Sequence, residues 1–231
     1  MSDPAVGETE GAPALVAEGL ACRRGERWVF AGVDCRLMAG GSMLLTGSNG
    51  SGKSSLLRVL ATLLTPEAGR LLWRGTPIGD DMPRYRAALH YAGHLDGVKP
   101  AMTPREMLAF WGALRGAAMP VDAPAINAAL TRFGLAAIAD WPCRWLSAGQ
   151  RRRLALARLV ATSAPLWLLD EPTAALDVDG EERLTAAIAA HRAAGGSVVV
   201  ATHQPLDLPG ATRLVLDDYA APPADALAAI W

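Results

Sequence analysis

The chain has 231 residues, with 22 lysines and arginines against 23 acids and a net charge of −1. That length allows one substantial core, or one core with a small appended subdomain. The near-neutral balance excludes a global field that would draw in nucleic acid or an anionic membrane, so any partner must be recognised through a local surface.

The opening MSDPAVGETEGAP is acidic and small, without the basic n-region or apolar h-region of a signal peptide. Residues 1–13 read as a flexible tail. No apolar run approaches the roughly 18 residues that a membrane helix needs, so the expectation is a soluble chain of the cytosol. Cys22, Cys35 and Cys143 form no C-x-x-C pair and no metal-ligand spacing. Such a sparse, odd set fits a reducing compartment and three buried, small apolar side chains.

From ALVAEGLACRRGERWVFAGVDCRLMAG to about Trp73, short apolar stretches broken by glycine and charge predict an antiparallel β-layer. Inside that stretch SMLLTG reads as a short buried strand. It runs straight into GSNGSGKSS and the helix KSSLLRVLATLL. Gly47, Ser48, Asn49, Gly50, Ser51, Gly52, Lys53, Ser54 and Ser55 fit G-x-x-x-x-G-K-[ST] between that strand and that helix. Glycines let successive backbone N–H groups turn inward around the α- and β-phosphates, Lys53 reaches the β- and γ-phosphates, and Ser54 offers a hydroxyl to Mg²⁺. Of the basic residues only Lys53 and Lys99 are lysine. A chain drifting toward arginine has kept a compact point charge at these two places, although for Lys99 chance survival reads equally well.

Thr103-Pro104-Arg105-Glu106 is a capping box with proline at the first helical position, opening TPREMLAFWGALRG. PAINAALTRFG is a second helix ended by Gly134. The small-residue turn Ser147-Ala148-Gly149 then opens the helix RRRLALARLVAT, a construction suited to holding an anion. The strand PLWLLD, the helix EERLTAAIAAHRAAGG and the strand SVVVATHQ follow. Alternating strands and helices predict an α/β fold with a mainly parallel sheet, interrupted by a helical run over about 95–160.

Asp170 ends the apolar strand LWLLD and is placed to hold Mg²⁺. Glu171 follows at once, a carboxylate able to polarise an attacking water, which suits hydrolysis better than transfer to a bound acceptor. His203 ends the next strand on the same edge and can hydrogen-bond the γ-phosphate.

Taken in order, these stretches resemble the nucleotide-binding domain of ABC (ATP-binding cassette) transporters over nearly the whole chain. GSNGSGKS is similar to the Walker A motif and LWLLDE to Walker B. Leu146, Ser147, Ala148, Gly149 and Gln150 resemble the ABC signature, Asp177 in AALD the D-loop, and His203 the switch histidine. The resemblance implies one ABC ATPase domain over 1–231, a P-loop NTPase core with an antiparallel β layer and an inserted helical subdomain that carries the signature. It implies ATP and Mg²⁺ as ligands. It further implies a head-to-tail dimer in which Ser147 and the N–H of Gly149 serve the nucleotide of a second copy.

GHLDGVKP, the alanine of LSAGQ and ATHQPL narrow the likeness to the CcmA-type ATP-binding subunits of cytochrome c maturation, or haem exporter, systems. That likeness implies haem export, or haem release from its chaperone. It implies integral membrane subunits as partners, a place at the cytoplasmic face of the bacterial inner membrane, and no nucleic acid. An ABC subunit exporting another small molecule or ion, or a soluble ABC ATPase acting on nucleic acid or ribosomes, is the alternative. Two positions depart from the general pattern. Arg24, with Trp28 nearby, stands where an aromatic ring commonly stacks on adenine. His94 stands where a glutamine usually touches Mg²⁺ and the attacking water, so we count it with Glu171 and His203 in the chemistry. Lys99, between His94 and the helix at Thr103, falls in the segment that by resemblance faces the membrane subunit. It reads either as a coupling cation or as a solvated lysine.

Overall fold

The computed structural model describes residues 12–115, 121–204 and 206–220. Most of the expected tail, residues 1–11, lies outside the described residues, and Pro13 already opens a strand. Four strands, β1 (Pro13–Arg24), β2 (Arg27–Met38), β4 (Ala68–Trp73) and β5 (Thr76–Pro77), pair antiparallel in the order β2-β1-β4-β5. Five more, β3 (Ser42–Thr46), β6 (Leu89–Ala92), β7 (Leu166–Asp170), β8 (Ser197–Ala201) and β9 (Thr212–Val215), form an all-parallel sheet in the order β6-β7-β8-β3-β9.

The parallel strands are apolar without alternation because both faces of their sheet are covered. Side chains of period two divide between two cores. Met43 and Leu45 of β3, Leu166 and Leu168 of β7, and Val199 and Ala201 of β8 point to the side of the antiparallel sheet. They meet Leu20, Phe30 and Leu71 there, together with Leu56, Leu57 and Leu60 of α1 (Lys53–Leu60). Leu44, Trp167, Leu169, Val198 and Val200 point the other way, into a helical layer. That layer contains α3 (Pro104–Leu114), α4 (Ala123–Arg132), α5 (Ala148–Ala161) and α6 (Val178–Ala193).

The helix ends follow the sequence signals. The Thr103 hydroxyl accepts from Glu106 N at 3.2 Å while Thr103 N donates to the Glu106 carboxylate at 2.8 Å, closing the expected capping box. Ser147 and Gln150 close a second one at the start of α5, and Asp177 caps α6 by accepting from Gly180 N at 3.0 Å. α1 stops short of the expected KSSLLRVLATLL because Thr62 turns left-handed, at φ 58. Besides β6, two elements with weak local signals join the expected ones. They are β9 and the short α2 (Met82–Ala87), whose Tyr85 hydroxyl donates to Leu60 O at 2.6 Å and pins the end of α1. The three thiols are free; Cys22 and Cys143 are buried, but Cys35 is only partly so, correcting the expectation of three buried ones. It lies on β2, the edge strand, where core coverage is incomplete.

His90 of β6 is buried on the helical side. Arg115 donates to its Nδ1 at 3.2 Å and its Nε2 meets the Thr162 carbonyl at 3.0 Å. Burial and then the Arg115 charge push its pKa down to about 3. An unfolded chain takes up this proton near ~6.5, the folded one only near 3. Between these values the unfolded state binds more protons, so stability falls as pH drops from about 6.5 and is flat above that. We expect His90→Gln to flatten that decline by up to ~1.4 kcal/mol per pH unit, read from urea denaturation at pH 7, 6 and 5. An identical slope in the variant would assign the acid sensitivity to other groups.

Candidate functional site

In an open parallel sheet the strand ends that carry ligands share one edge, and the expected chemistry gathers there. β3 ends at Thr46 and delivers the chain into the glycine loop. Gly47, Gly50 and Gly52 take φ of 142, 84 and 106, the left-handed region that side chains avoid. At Gly52 a Cβ would also stand 2.6 Å from Val29 Cγ1 and at Gly47 one would stand 2.8 Å from Ser51 Oγ, so a side chain at either place adds crowding to backbone strain. Lys53, almost fully buried, donates from Nζ to Gly47 O at 2.8 Å and Ser48 O at 2.9 Å, which folds its ammonium back over the loop.

The first turn of α1 meets the end of β7. Ser54 Oγ donates to Asp170 Oδ1 at 2.9 Å, and Asp170 is only 2% exposed. Two hard oxygens, one hydroxyl and one carboxylate, form a donor set that suits Mg²⁺, which retains water and phosphate oxygens for its remaining positions. Glu171 is left-handed at φ 46, a strained conformation for a residue with a side chain, costing ~1–3 kcal/mol. Its N–H donates to Ala201 O at 2.8 Å, and its carboxylate lies 2.9 Å from His203 Nδ1. An ionised carboxylate only accepts, so the proton of that pair sits on Nδ1.

A cleft of about 550 Å³ opens over these groups, lined by Arg24, Arg27, Val29, Asn49, Gly50, Gly52, Lys53, Ser54, Ser55 and Glu171. Its volume and its mixture of backbone amides and cations suit a polyanionic small molecule. Trp28, expected beside the base, does not line it. Arg24 pairs with Arg27 and Arg23 with Trp28 across the β1–β2 hairpin, so period two sends the indole to the other face, beneath the Arg23 guanidinium at 5.9 Å. Arg27 and Val29 take its place.

Other expected residues stand apart from this cluster. His94 and Lys99 are exposed on the loop after β6, and the Lys99 ammonium lies 4.1 Å from the centre of the Phe110 ring. Ser147 and Ala148 are exposed at the N-terminus of α5, outside the lining of the cleft. A Cβ on Gly149 would come within 2.9 Å of Ala175 O. Asp177 holds its helix rather than the cleft.

Besides Arg27 and Val29, two more residues of the site escaped the sequence reading. Asp217, after β9, accepts from Ser48 N at 2.8 Å and from the Ser48 hydroxyl at 2.6 Å, and these bonds lower its pKa. No local signal announces it, because its partner is 169 residues away. Arg152 is 3% exposed beneath the Glu171 turn. Here a signal existed: Arg152, Ala155, Leu156 and Leu159 stand at i, i+3, i+4 and i+7, the buried face of α5.

The profile of a family described as ABC transporter matches residues 30–174. A protein of Rhodospirillum rubrum named cytochrome c biogenesis ATP-binding export protein CcmA is 55% identical over 216 residues, 93% of this chain and 91% of that protein. A protein of the same name from Paramagnetospirillum magneticum is 52% identical over 204 residues, 88% of this chain and 94% of that one. Among solved structures, a dimeric ATP-binding cassette in a post-hydrolysis state, bound to ADP and Pi, matches with a TM-score of 0.73 at 22% identity. The match covers 82% of this chain and 88% of that one. Such distant identity speaks for the fold alone. With a profile along more than half of its length and a relative 55% identical over nearly all of it, the chain belongs to the ABC transporter family.

Proposed function

We propose that the chain is the ATP-hydrolysing subunit of an ABC transporter complex in c-type cytochrome biogenesis, powering haem export or haem release from its chaperone. The observation that carries this reading is the 55% identity, over 93% of the chain, to a protein named for cytochrome c biogenesis and ATP-binding export. The cleft supplies the chemistry. Backbone amides of the glycine loop and the Lys53 ammonium receive the phosphates. Arg24 and Arg27 offer guanidinium planes to the base in place of an aromatic ring. Ser54 and Asp170 would hold Mg²⁺, which neutralises phosphate charge. Glu171 polarises the attacking water, and His203, bonded to it, keeps that carboxylate oriented and reaches toward the γ-phosphate.

In this reading the nucleotide of each site is completed by a second copy. Ser147 stands exposed and Gly149 half-buried at the start of a 14-residue helix, whose N-terminal end favours an anion. A fold relative is itself a dimer with ADP and Pi. Among the described residues no helix is long and apolar enough to cross a membrane. The transported species would therefore pass through integral membrane subunits that this chain serves from the cytoplasmic face of the inner membrane. The net charge of −1 gives the chain no overall field that would draw in nucleic acid.

Glu171→Gln is expected to keep ATP binding and to lower turnover by ~10²–10⁴, with an ATP-held dimer accumulating on a sizing column. Turnover at the parental rate would remove Glu171 from its role.

Ser147→Arg should block ATP-driven dimerisation while each monomer still binds nucleotide. A mere loss of the helix cap would cost ~1 kcal/mol of stability and leave dimers intact. Mixing Ser147→Arg with Lys53→Ala chains tests the arrangement directly, because their heterodimer retains one complete composite site. Activity no greater than the sum of the separate variants would rule out completion in trans.

Lys99→Glu is expected to leave fold and basal ATPase unchanged while lowering recovery of membrane subunits and haem with a tagged chain in gentle detergent. The unpaired carbonyls at a partner helix end would welcome the cation and repel its replacement. Undiminished recovery would return Lys99 to the solvated surface over Phe110, and ribosomes or DNA in the eluate would overturn the transporter reading itself.

A further inference from the structure

Arg152 uses all five of its N–H donors, the full capacity of a guanidinium. Nη2 donates to Asp170 O at 3.0 Å and Glu171 O at 2.6 Å, and Nε to Pro172 O at 3.3 Å. Three successive carbonyls of the turn after β7 are thus gripped by one side chain. Nη1 donates in the opposite direction, to Gly93 O at 2.9 Å and the Asp96 carboxylate at 3.2 Å, on either side of His94. The side chain comes from the second turn of α5, five residues after Ser147. Arg158, further along that helix, donates to Tyr91 O at 2.6 Å and lies over the Trp111 ring. The end of β6 is therefore held to α5 from two places.

We propose that Arg152 is a positioning residue for Glu171, and that it makes the catalytic turn answer to the His94 loop and to the signature helix. Glu171 is left-handed without being glycine, so its peptide flips back to an ordinary conformation unless its neighbours hold it. The N–H is held by Ala201 and the carbonyl by Arg152. Together they fix the direction in which the carboxylate leaves the chain, toward His203. The same fork is closed on its other side by Gly93 and Asp96. A displacement of the loop after β6, or a rotation of α5, therefore pulls on the carbonyls of residues 170–172. Signals from a neighbouring subunit that move either element reach the carboxylate through one buried cation. A lysine cannot substitute: its ammonium has three donors from a single point and cannot span both sides.

This inference rests on the reading of Glu171 as the group that polarises water. The test is a double-mutant cycle on the full chain, with steady-state ATPase kinetics, binding of a fluorescent ATP analogue and thermal melting. Arg152→Lys and Arg152→Gln should lower kcat by about tenfold to a hundredfold, the scale of a misplaced catalytic group, with analogue affinity within about threefold of the parent. In a Glu171→Gln background the same substitutions should change the residual rate by less than about twofold, because the group they position is already gone. Asp96→Ala removes one bond and keeps the rest, and should lower kcat severalfold at unchanged affinity. It decides the matter even if the Arg152 variants fail to fold. Parental kcat in Arg152→Gln or Asp96→Ala, weakened nucleotide binding that accounts for the lost rate, or an equal loss repeated in the Glu171→Gln background would each overturn the proposal. A Glu171→Gln chain that hydrolyses like the parent would instead refute the role of Glu171, a separate result.

Discussion

The hydrogen bond from Ser54 Oγ to Asp170 Oδ1, 2.9 Å long, joins residues 116 apart in the chain, and the rest of the site is arranged around it. It exists because β3 and β7 run parallel with β8 between them, which brings the start of α1 and the end of β7 to one edge of the sheet. Burial on both faces of that sheet is what makes the strands short and apolar, and a short apolar strand ending in an acid delivers that acid at the rim. The oxygen pair is therefore a product of topology as much as of residue choice. Antiparallel pairing of the same segments would put the two residues at opposite ends.

One residue beyond this bond the backbone is under strain. Glu171 adopts a conformation that glycine would take freely, and the surroundings must supply what its own preference does not. Ala201 O on one side and the Arg152 guanidinium on the other do so. A glycine here would relax the turn but carry no carboxylate. Strain is tolerated where the chemistry needs a side chain in that direction, and the buried cation beneath it is part of the same solution. The glycine loop shows the opposite choice, because there side chains would crowd Val29 and Ser51 and the backbone itself is left facing the cleft.

The helical layer gives the site its second character. The Ser147–Gln150 capping box fixes the entry into α5 and leaves Ser147 and Ala148 exposed at the helix N-terminus. The inner face of the same helix carries Arg152 to the turn after β7. One helix therefore presents a capped N-terminus outward and a rigid contact inward. Its orientation is set by packing with α3, α4 and α6 in the helical core.

Residue order alone yields the glycine loop, the strand before it, the helix after it, the two acids closing LWLLDE and both helix-opening turns, because each depends on neighbours within a few residues. Spacing and backbone chemistry suffice for such features. The sequence put Trp28 beside the base and missed Arg27, since facing is decided by hairpin register, and register requires the partner strand. It passed over Asp217, whose bonds to Ser48 span 169 residues. The run of three arginines read only as the start of a helix, although Arg152 turns inward to grip the turn after β7. The stop of α1 at Thr62 and the strand β9 were likewise invisible, being held by long-range contacts that outweigh weak local preference. Local hydrogen-bonding patterns are written in adjacent residues. Which side chain meets which across the sheet is settled only when burial forces distant segments to share one core.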